Sequence, residues 1–399
     1  MTKSETLIQQ EQTYCAQTYH PLDVVLARGE GVWVWDVEGN RYLDCLSAYS
    51  ALNQGHRHPR IVQAMVDQAA RITLTSRAFR NDQLPKLAEA LCTLTGYDVM
   101  LPMNSGAEAV ETALKAARRW GYRTKGIPQD RAEIIACEGN FHGRTITVVS
   151  MSTVDHYREG FGPFTPGFTV IPYGDADALE RAITEHTAAF LVEPIQGEAG
   201  VIVPPDGYLR AVREICDRHN VLMIADEIQS GLGRAGKFFA CDWEGVKPDL
   251  VTIGKALSGG MMPVSAVLGT GAVMELFDAG SHGSTFGGNP LACAVAHEAI
   301  KVIVEEDLAQ RAHQLGTYFR QELRAMNSPH VKEIRGKGLL VGVELKPESP
   351  ARPFCHALKE RGILAKDTHG VVIRFAPPLV ITRAEIDWAL DVIRDVFGG

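Results

Sequence analysis

Two apolar runs in the middle of the chain stop abruptly at ionisable groups. VLMIA (221–225) ends in Asp226 and Glu227, and LVTI (250–253) leads through Gly254 to Lys255. A third run, AAFLV (188–192), ends in Glu193. Singly, a strand-end acid caps the next turn and a strand-end lysine reaches solvent. Together, an acid and a lysine facing one another across a crevice suit pyridoxal 5'-phosphate. The amine can join the cofactor aldehyde while the carboxylate keeps the pyridine nitrogen protonated, so that the ring accepts electrons.

Such a cofactor also needs a phosphate site. LPMNSGAEAVETALKAA (101–117) offers a strand, the turn Ser105-Gly106, then a helix start. Backbone N–H groups at a helix N-terminus bind phosphate, and a glycine lets it approach closely. GSTFGGNP (283–290) is a second glycine-rich polar loop, with Ser284 and Thr285 as hydroxyl donors.

The elements that would position these groups follow from pattern. GVWVWDVEGNRYLD (31–44) reads as a hairpin turning at Glu38-Gly39-Asn40. From about residue 60 to 290, β-rich runs alternate with helical stretches such as AEAVETALKAARRWG and YLRAVREICDRHN. The β-rich runs are DVMLPM, EIIAC, ITVVSM, AAFLVEP, VLMIAD, DLVTIG and PVSAVLG. That alternation predicts an α/β fold with a mostly parallel sheet covered on both faces. In open sheets of this kind, ligands sit at the carboxyl ends of the strands, where Glu193, Asp226 and Lys255 fall. After Pro290 come two long helices, a β-like stretch (EIRGKGLLVGVEL) and a final amphipathic helix (TRAEIDWALDVIRDVF). The expected division is a large domain over 56–290 and a smaller α+β domain built from both termini, 1–55 and 291–399.

Composition narrows the function classes. The 399 residues are 45% hydrophobic, enough for a large core, and the formal net charge is −8 with no Lys/Arg block. A nucleic-acid or anionic-membrane surface is therefore not expected. The eight cysteines are scattered without C-x-x-C spacing, which suits free thiols in a reducing cytoplasm rather than a disulfide or zinc framework. Cys137 and Cys241 lie in apolar surroundings and are expected to be buried. The N-terminus has no signal-peptide or transit-peptide character, and the uncharged stretch Ala256–Met274 reads as loop plus buried strand. His56 and His58 share an H-x-H spacing, but no acid or cysteine cluster accompanies them; a turn is expected and no metal. No G-x-G-x-x-G follows the first strand, so a dehydrogenase reading finds no support.

Read in order, the motifs resemble one family across nearly the whole chain. They are TYHPL (18–22), SAYSALNQGHRHP, MNSGAEAVETALK, GNFHGRT, VEPIQGEAGV, ADEIQSGLGR, GKALSGG, HGSTFGGNPLA and IRFAPPLVI. The chain is similar to the class III (ω-amino-acid type) pyridoxal-phosphate aminotransferases of fold type I, and within them to the ornithine δ-aminotransferases. The resemblance implies that Lys255 carries the cofactor and then shuttles the proton, and that Asp226 pairs with the ring nitrogen. It implies that Phe141 stacks on one ring face, Ile228 packs on the other and Gln229 reaches the ring hydroxyl. Gly106 and Ala107, beside Ser105, would hold the phosphate, with Ser284 and Thr285 completing that site from a neighbouring subunit in a homodimer. His142 stands where many ornithine enzymes carry tryptophan. For substrate, the resemblance implies Arg144 on the ornithine α-carboxylate and Tyr19 near the α-amino group; Tyr49 is expected to flank the same polar end, because a free α-ammonium needs a hydroxyl nearby. Arg374 would take the α-carboxylate of 2-oxoglutarate or glutamate, with Glu198 as its switchable partner. The implied reaction moves the δ-amino group of ornithine to 2-oxoglutarate. The product, glutamate 5-semialdehyde, cyclises to pyrroline-5-carboxylate. Acetylornithine or another ω-amino acid is the alternative donor.

Overall fold

The computed structural model describes residues 1–398. Near the N-terminus, β1 (Leu26–Glu30), β2 (Trp33–Asp36) and β3 (Arg41–Asp44) form an antiparallel meander. The β2–β3 turn is fixed by Asp36, whose carboxylate accepts from the N–H groups of Glu38 (3.0 Å) and Asn40 (2.8 Å) and from Tyr42 Oη (2.9 Å). An aspartate that binds its own following backbone is a strong turn former.

The central sheet has seven strands: β4 (Val99–Met103), β5 (Glu133–Cys137), β6 (Phe168–Ile171), β7 (Thr187–Val192), β8 (Leu222–Asp226), β9 (Leu250–Ile253) and β10 (Ser265–Gly269). Their order is β4-β10-β9-β8-β7-β5-β6, and only β10 runs against its neighbours. The expected mostly parallel sheet is what forms. Every residue of β7, β8 and β9 is buried, which explains their unbroken apolar runs. Alternate residues serve separate cores on the two faces. Ala189, Leu191, Leu222 and Ile224 pack with Ala109, Val110 and Ala113 of the Gly106–Trp120 helix. Phe190, Val192, Met223 and Ala225 belong to the opposite core, with Leu209, Val212 and Ala296 from the helices Tyr208–Arg218 and Pro290–Glu305.

Two readings of the β-rich runs need correction. ITVVSM is not a strand: Ile146–Ser150 is a short helix that buries Val148 and Val149. Val148 joins the core of the Gly106–Trp120 helix, and Thr145, at the N-cap, donates to Glu111 (2.6 Å), so packing overrides the β preference of branched residues. FTVI, absent from the predicted runs, forms the edge strand β6.

Beyond Pro290, β11 (Val331–Lys337), β12 (Leu340–Leu345), β14 (Lys366–Thr368) and β15 (Val372–Phe375) form a second antiparallel sheet in the order β11-β12-β15-β14. The short β13 (Ile363–Leu364) lies parallel to β3, joining the N-terminal meander to the C-terminal third. The uncharged stretch after Lys255 forms a tight helical turn, β10 and a short helix, and no described helix is long and apolar enough to cross a membrane. Cys137 and Cys241 are buried, and all eight cysteines are unpaired. His56 pairs with Asp44 (2.8 Å) and His58 with Glu306 (3.0 Å), holding the turn that leads into the Pro59–Ala69 helix.

Candidate active site

The carboxyl ends of β7, β8 and β9 open onto one cavity of about 160 Å³, and Glu193, Asp226 and Lys255 all line it. Lys255 has a left-handed backbone (φ 45°), which a β-carbon makes costly and which a tightly packed site can hold. Burial holds its amine below the ordinary lysine range, against the opposing pull of Glu198 and Asp226. A larger share of the amine is therefore neutral and nucleophilic.

Asp226 is fixed from both sides. Its Oδ2 pairs with His142 Nδ1 (2.7 Å), and its Oδ1 accepts from Ile228 N–H (3.2 Å) and Thr252 Oγ1 (3.1 Å). Burial alone would lower the His142 pKa; the hydrogen bond and charge of Asp226 outweigh it and raise the ring above its usual value. The other ring nitrogen, Nε2, is buried without a partner. Phe141 lies next along the wall, its N–H donating to Glu193 Oε1 (2.8 Å).

The third side is a helix start. Ser105 caps the Gly106–Trp120 helix in a reciprocal box with Glu108, and Gly106 and Ala107 face the cavity. A β-carbon on Gly106 would sit 3.1 Å from Ile228 Cδ1, and one on Gly143 would sit 2.9 Å from Ala107 Cβ. Both glycines let Ile228 and Ala107 pack closely at a helix end suited to an anion. Ser284 accepts from Asn104 Nδ2 (2.8 Å) and from Gly287 N–H (3.0 Å). Neither Ser284 nor Thr285 lines this cavity in its own chain.

The polar end is built around Glu198. Its Oε1 accepts from Arg374 Nη1 (2.7 Å) and from Gln229 Nε2 (3.0 Å). Burial would raise the Glu198 pKa, but Arg374 and Lys255 outweigh it and hold the carboxyl below its usual range. Arg374, on β15, is 1% exposed and has no other carboxylate partner among the described residues. Gln229 packs against Gly197, where a β-carbon would fall 1.4 Å from Gln229 Oε1, and that oxygen is buried without a partner. The Arg374 guanidinium lies over the Tyr49 ring (5.2 Å). Tyr49 sits in a run of four left-handed residues, Ser47 to Ser50, that contains no glycine. Ser47 Oγ, donating to Ala376 O (2.6 Å), and Asp44, accepting from the N–H groups of Leu46 and Ser47, hold the run in place.

The structure thus gathers Lys255, Asp226, Gly106, Ala107, Phe141, His142, Ile228, Gln229 and Glu198 around one space, with Arg374 behind Glu198. It leaves others outside. Tyr19 is 71% exposed and shares with Tyr49 a neighbouring groove. Arg144 is exposed and stacks on Tyr157 (3.6 Å). Sequence reasoning gave no role to Thr252, Gly143 or Gly197. Thr252 carried no signal beyond an apolar run, and the two glycines stood unmarked inside quoted motifs.

The chain belongs to the class-III aminotransferases: the family model described as Aminotransferase class-III matches residues 14–397. These are pyridoxal-phosphate-dependent transaminases. The ornithine aminotransferase of Geobacillus sp. (strain WCH70) is 59% identical over 399 residues, all of both chains. Among solved structures, the ornithine aminotransferase of Toxoplasma gondii crystallised with oxidised glutathione has PLP at partial occupancy in its active site. It superposes with a TM-score of 0.98 at 49% identity, covering 99% of this chain and 94% of that one. The acetylornithine aminotransferase of Elizabethkingia anophelis superposes with a TM-score of 0.91 at 50% identity, covering 100% and 99%.

The residues present fit the cofactor. Gln229 Oε1 and His142 Nε2 are buried orphans at or beside the cavity, an amine and a carboxylate both line it, and a glycine-bearing helix start closes its third side.

Proposed function

We propose that this chain transfers the δ-amino group of L-ornithine to 2-oxoglutarate, giving glutamate 5-semialdehyde, which cyclises to pyrroline-5-carboxylate, and glutamate. The observation that carries the reading is the buried Arg374 paired behind Glu198, which lines the Lys255 cavity. Pyridoxal 5'-phosphate, when bound, supplies the aldehyde carbon that receives the amino group and a ring that accepts electrons. Asp226 would hold the proton on the ring nitrogen, Phe141 and Ile228 would enclose the ring, and Gln229 would meet its hydroxyl. Ser105, Gly106 and Ala107 would hold the phosphate. Lys255 Nζ would accept the proton that leaves the donor's δ-carbon.

The two half-reactions place opposite demands on Arg374. The distal end of ornithine carries only an amine, and an unpaired guanidinium there would repel it; Glu198 removes that charge. For 2-oxoglutarate, the Glu198 carboxylate turns away and Arg374 binds the incoming carboxylate through its planar fork. Arg144 takes the ornithine α-carboxylate, with Tyr19 and Tyr49 near the α-amino group. The working unit is a homodimer in which Ser284 and Thr285 reach the partner's cofactor phosphate. In support, both lie outside their own chain's cavity, beside the half-exposed Phe286. The same reading assigns the cofactor residues to a domain over 56–290, and Tyr19, Tyr49 and Arg374 to a second from 1–55 and 291–399. Unpaired cysteines suit a cytoplasmic setting.

A donor panel with 2-oxoglutarate tests the reading. Ornithine should be the preferred donor among ornithine, N-acetylornithine and 4-aminobutyrate, with pyrroline-5-carboxylate accumulating. A preference for N-acetylornithine would assign the chain to the acetylornithine activity instead.

A further inference from the structure

We propose that Glu193 is a positioning residue of the transamination site, the second acid of its ring-binding wall, clamping the Phe141–His142 loop to the strand end beside Asp226. The proposal rests on the reading that pyridoxal phosphate binds between Lys255 and Asp226. Strands β7 and β8 are parallel neighbours with Val192 opposite Ala225, so Glu193 and Asp226 occupy the next step side by side. Two consecutive loop residues dock on these two acids. Phe141 N–H donates to Glu193 Oε1 (2.8 Å), and His142 Nδ1 pairs with Asp226 Oδ2 (2.7 Å). The aromatic wall and the acid opposite the ring nitrogen are therefore set by one paired device, and removing either acid frees one end of the loop.

Fixing a single N–H would need only a carbonyl or an amide oxygen. A second carboxyl, 6% exposed beside Asp226, is a costly way to do it and adds a group that can ionise. The charged or titratable groups that face Glu193 are His142 on the loop, Asp226 and Lys255 at the neighbouring strand ends, Cys137 at the end of β5 and Tyr173 behind. Burial foremost, with the negative charge of Asp226, outweighs His142, the Phe141 N–H and Lys255 and pushes the Glu193 carboxyl up to about 7. As pH rises through that value, the wall gains a negative charge next to Asp226. Protons on His142 and on the cofactor ring nitrogen are then held more tightly.

The test uses the holoenzyme and its Glu193→Gln and Glu193→Ala variants. The readouts are cofactor affinity and the visible circular dichroism of the bound cofactor from about pH 5.5 to 8.5, a range that spans the titration. Glu193→Ala, which loses the clamp, should weaken cofactor binding about tenfold and shrink the dichroism. Glu193→Gln keeps an acceptor for Phe141 N–H and should bind cofactor within about twofold of the native protein, yet lose the spectral transition near pH 7. Native affinity and dichroism in Glu193→Ala, or an unchanged transition in Glu193→Gln, would overturn the proposal. If the alanine variant does not fold, the glutamine variant decides alone: loss of the transition supports the role and its persistence refutes it. Native protein whose cofactor is not on Lys255 would refute the underlying reading, a result separable from either variant's behaviour.

Discussion

In the proposed reaction, single residues decide which substrate group the polar end of the site favours. Arg374 is buried with one carboxylate partner, Glu198, which Gln229 also holds. Removing Glu198 leaves Arg374 permanently free for a substrate carboxylate and leaves an uncompensated cation facing the distal end of ornithine. Hydrogen bonds to a charged group are worth roughly 1.5–3 kcal/mol, so each effect should reach about tenfold. Glu198→Ala should slow the half-reaction with ornithine and speed the one with glutamate, measured by single-turnover absorbance of the cofactor. Parallel losses in both would mean a damaged site rather than a removed switch. Asp226 and Lys255 were legible because two apolar runs broke off at them. Pairing Glu198 with Arg374 was not, since 176 positions separate them and only the family pattern joins them. The left-handed turn at Ser47–Ser50 left no trace either, because no glycine marks it.

At the scale of elements, the Gly106–Trp120 helix has two tasks. Its body fills one face of the central sheet, and its first turn faces the cavity. The Ser105–Glu108 box satisfies the N–H of Ser105 and of Glu108, while Asn104 N–H reaches Glu108 as well (3.1 Å). Losing a serine cap typically costs about 1 kcal/mol. Ser105→Ala should lower unfolding stability by about that much, seen as a lower denaturation midpoint with an unchanged slope, and weaken cofactor binding. An unchanged midpoint would show that tertiary packing alone fixes this turn. This helix was readable from the Ser105-Gly106 turn before it and from the alternation of helical stretches with β-rich runs. The Ile146–Ser150 helix was misread because five residues are too few to show a period, and β-branched residues dominate them. Strand β6 went unseen because an edge strand only partly buried lacks the apolar run that marked β7 to β9.

Across the whole molecule, buried charge links stability to pH. Glu227, beside Asp226 in sequence, does not line the cavity; its carboxylate accepts from Ser230 Oγ and from Cys241 N–H (2.8 Å). Burial, against these hydrogen bonds, raises its pKa from 4.5 to about 7. An acid raised in the folded state binds its proton more tightly there than when unfolded. Its stabilising contribution is complete below about 4.5 and is lost as pH rises through about 7. Glu227→Gln cannot ionise, so its Tm should gain on the native protein between about pH 5 and pH 8, by about 2 °C or more. A Tm difference that stays constant with pH would contradict this account of Glu227. The parallel sheet and its strand-end site were legible because β7, β8 and β9 are buried on both faces and so appear as continuous apolar runs. The pairing of β3 with β13 was not, since a two-residue strand carries no pattern.

The central claim is that the cavity at the ends of β7, β8 and β9 is where amino transfer takes place, with Lys255 carrying the cofactor. Borohydride reduction of the purified holoenzyme followed by peptide mapping tests it directly. The pyridoxyl group should be found on Lys255 alone, and Lys255→Ala should abolish turnover while still binding some cofactor through the helix start at Gly106. A reduced adduct on any other lysine, or turnover surviving in Lys255→Ala, would contradict the account.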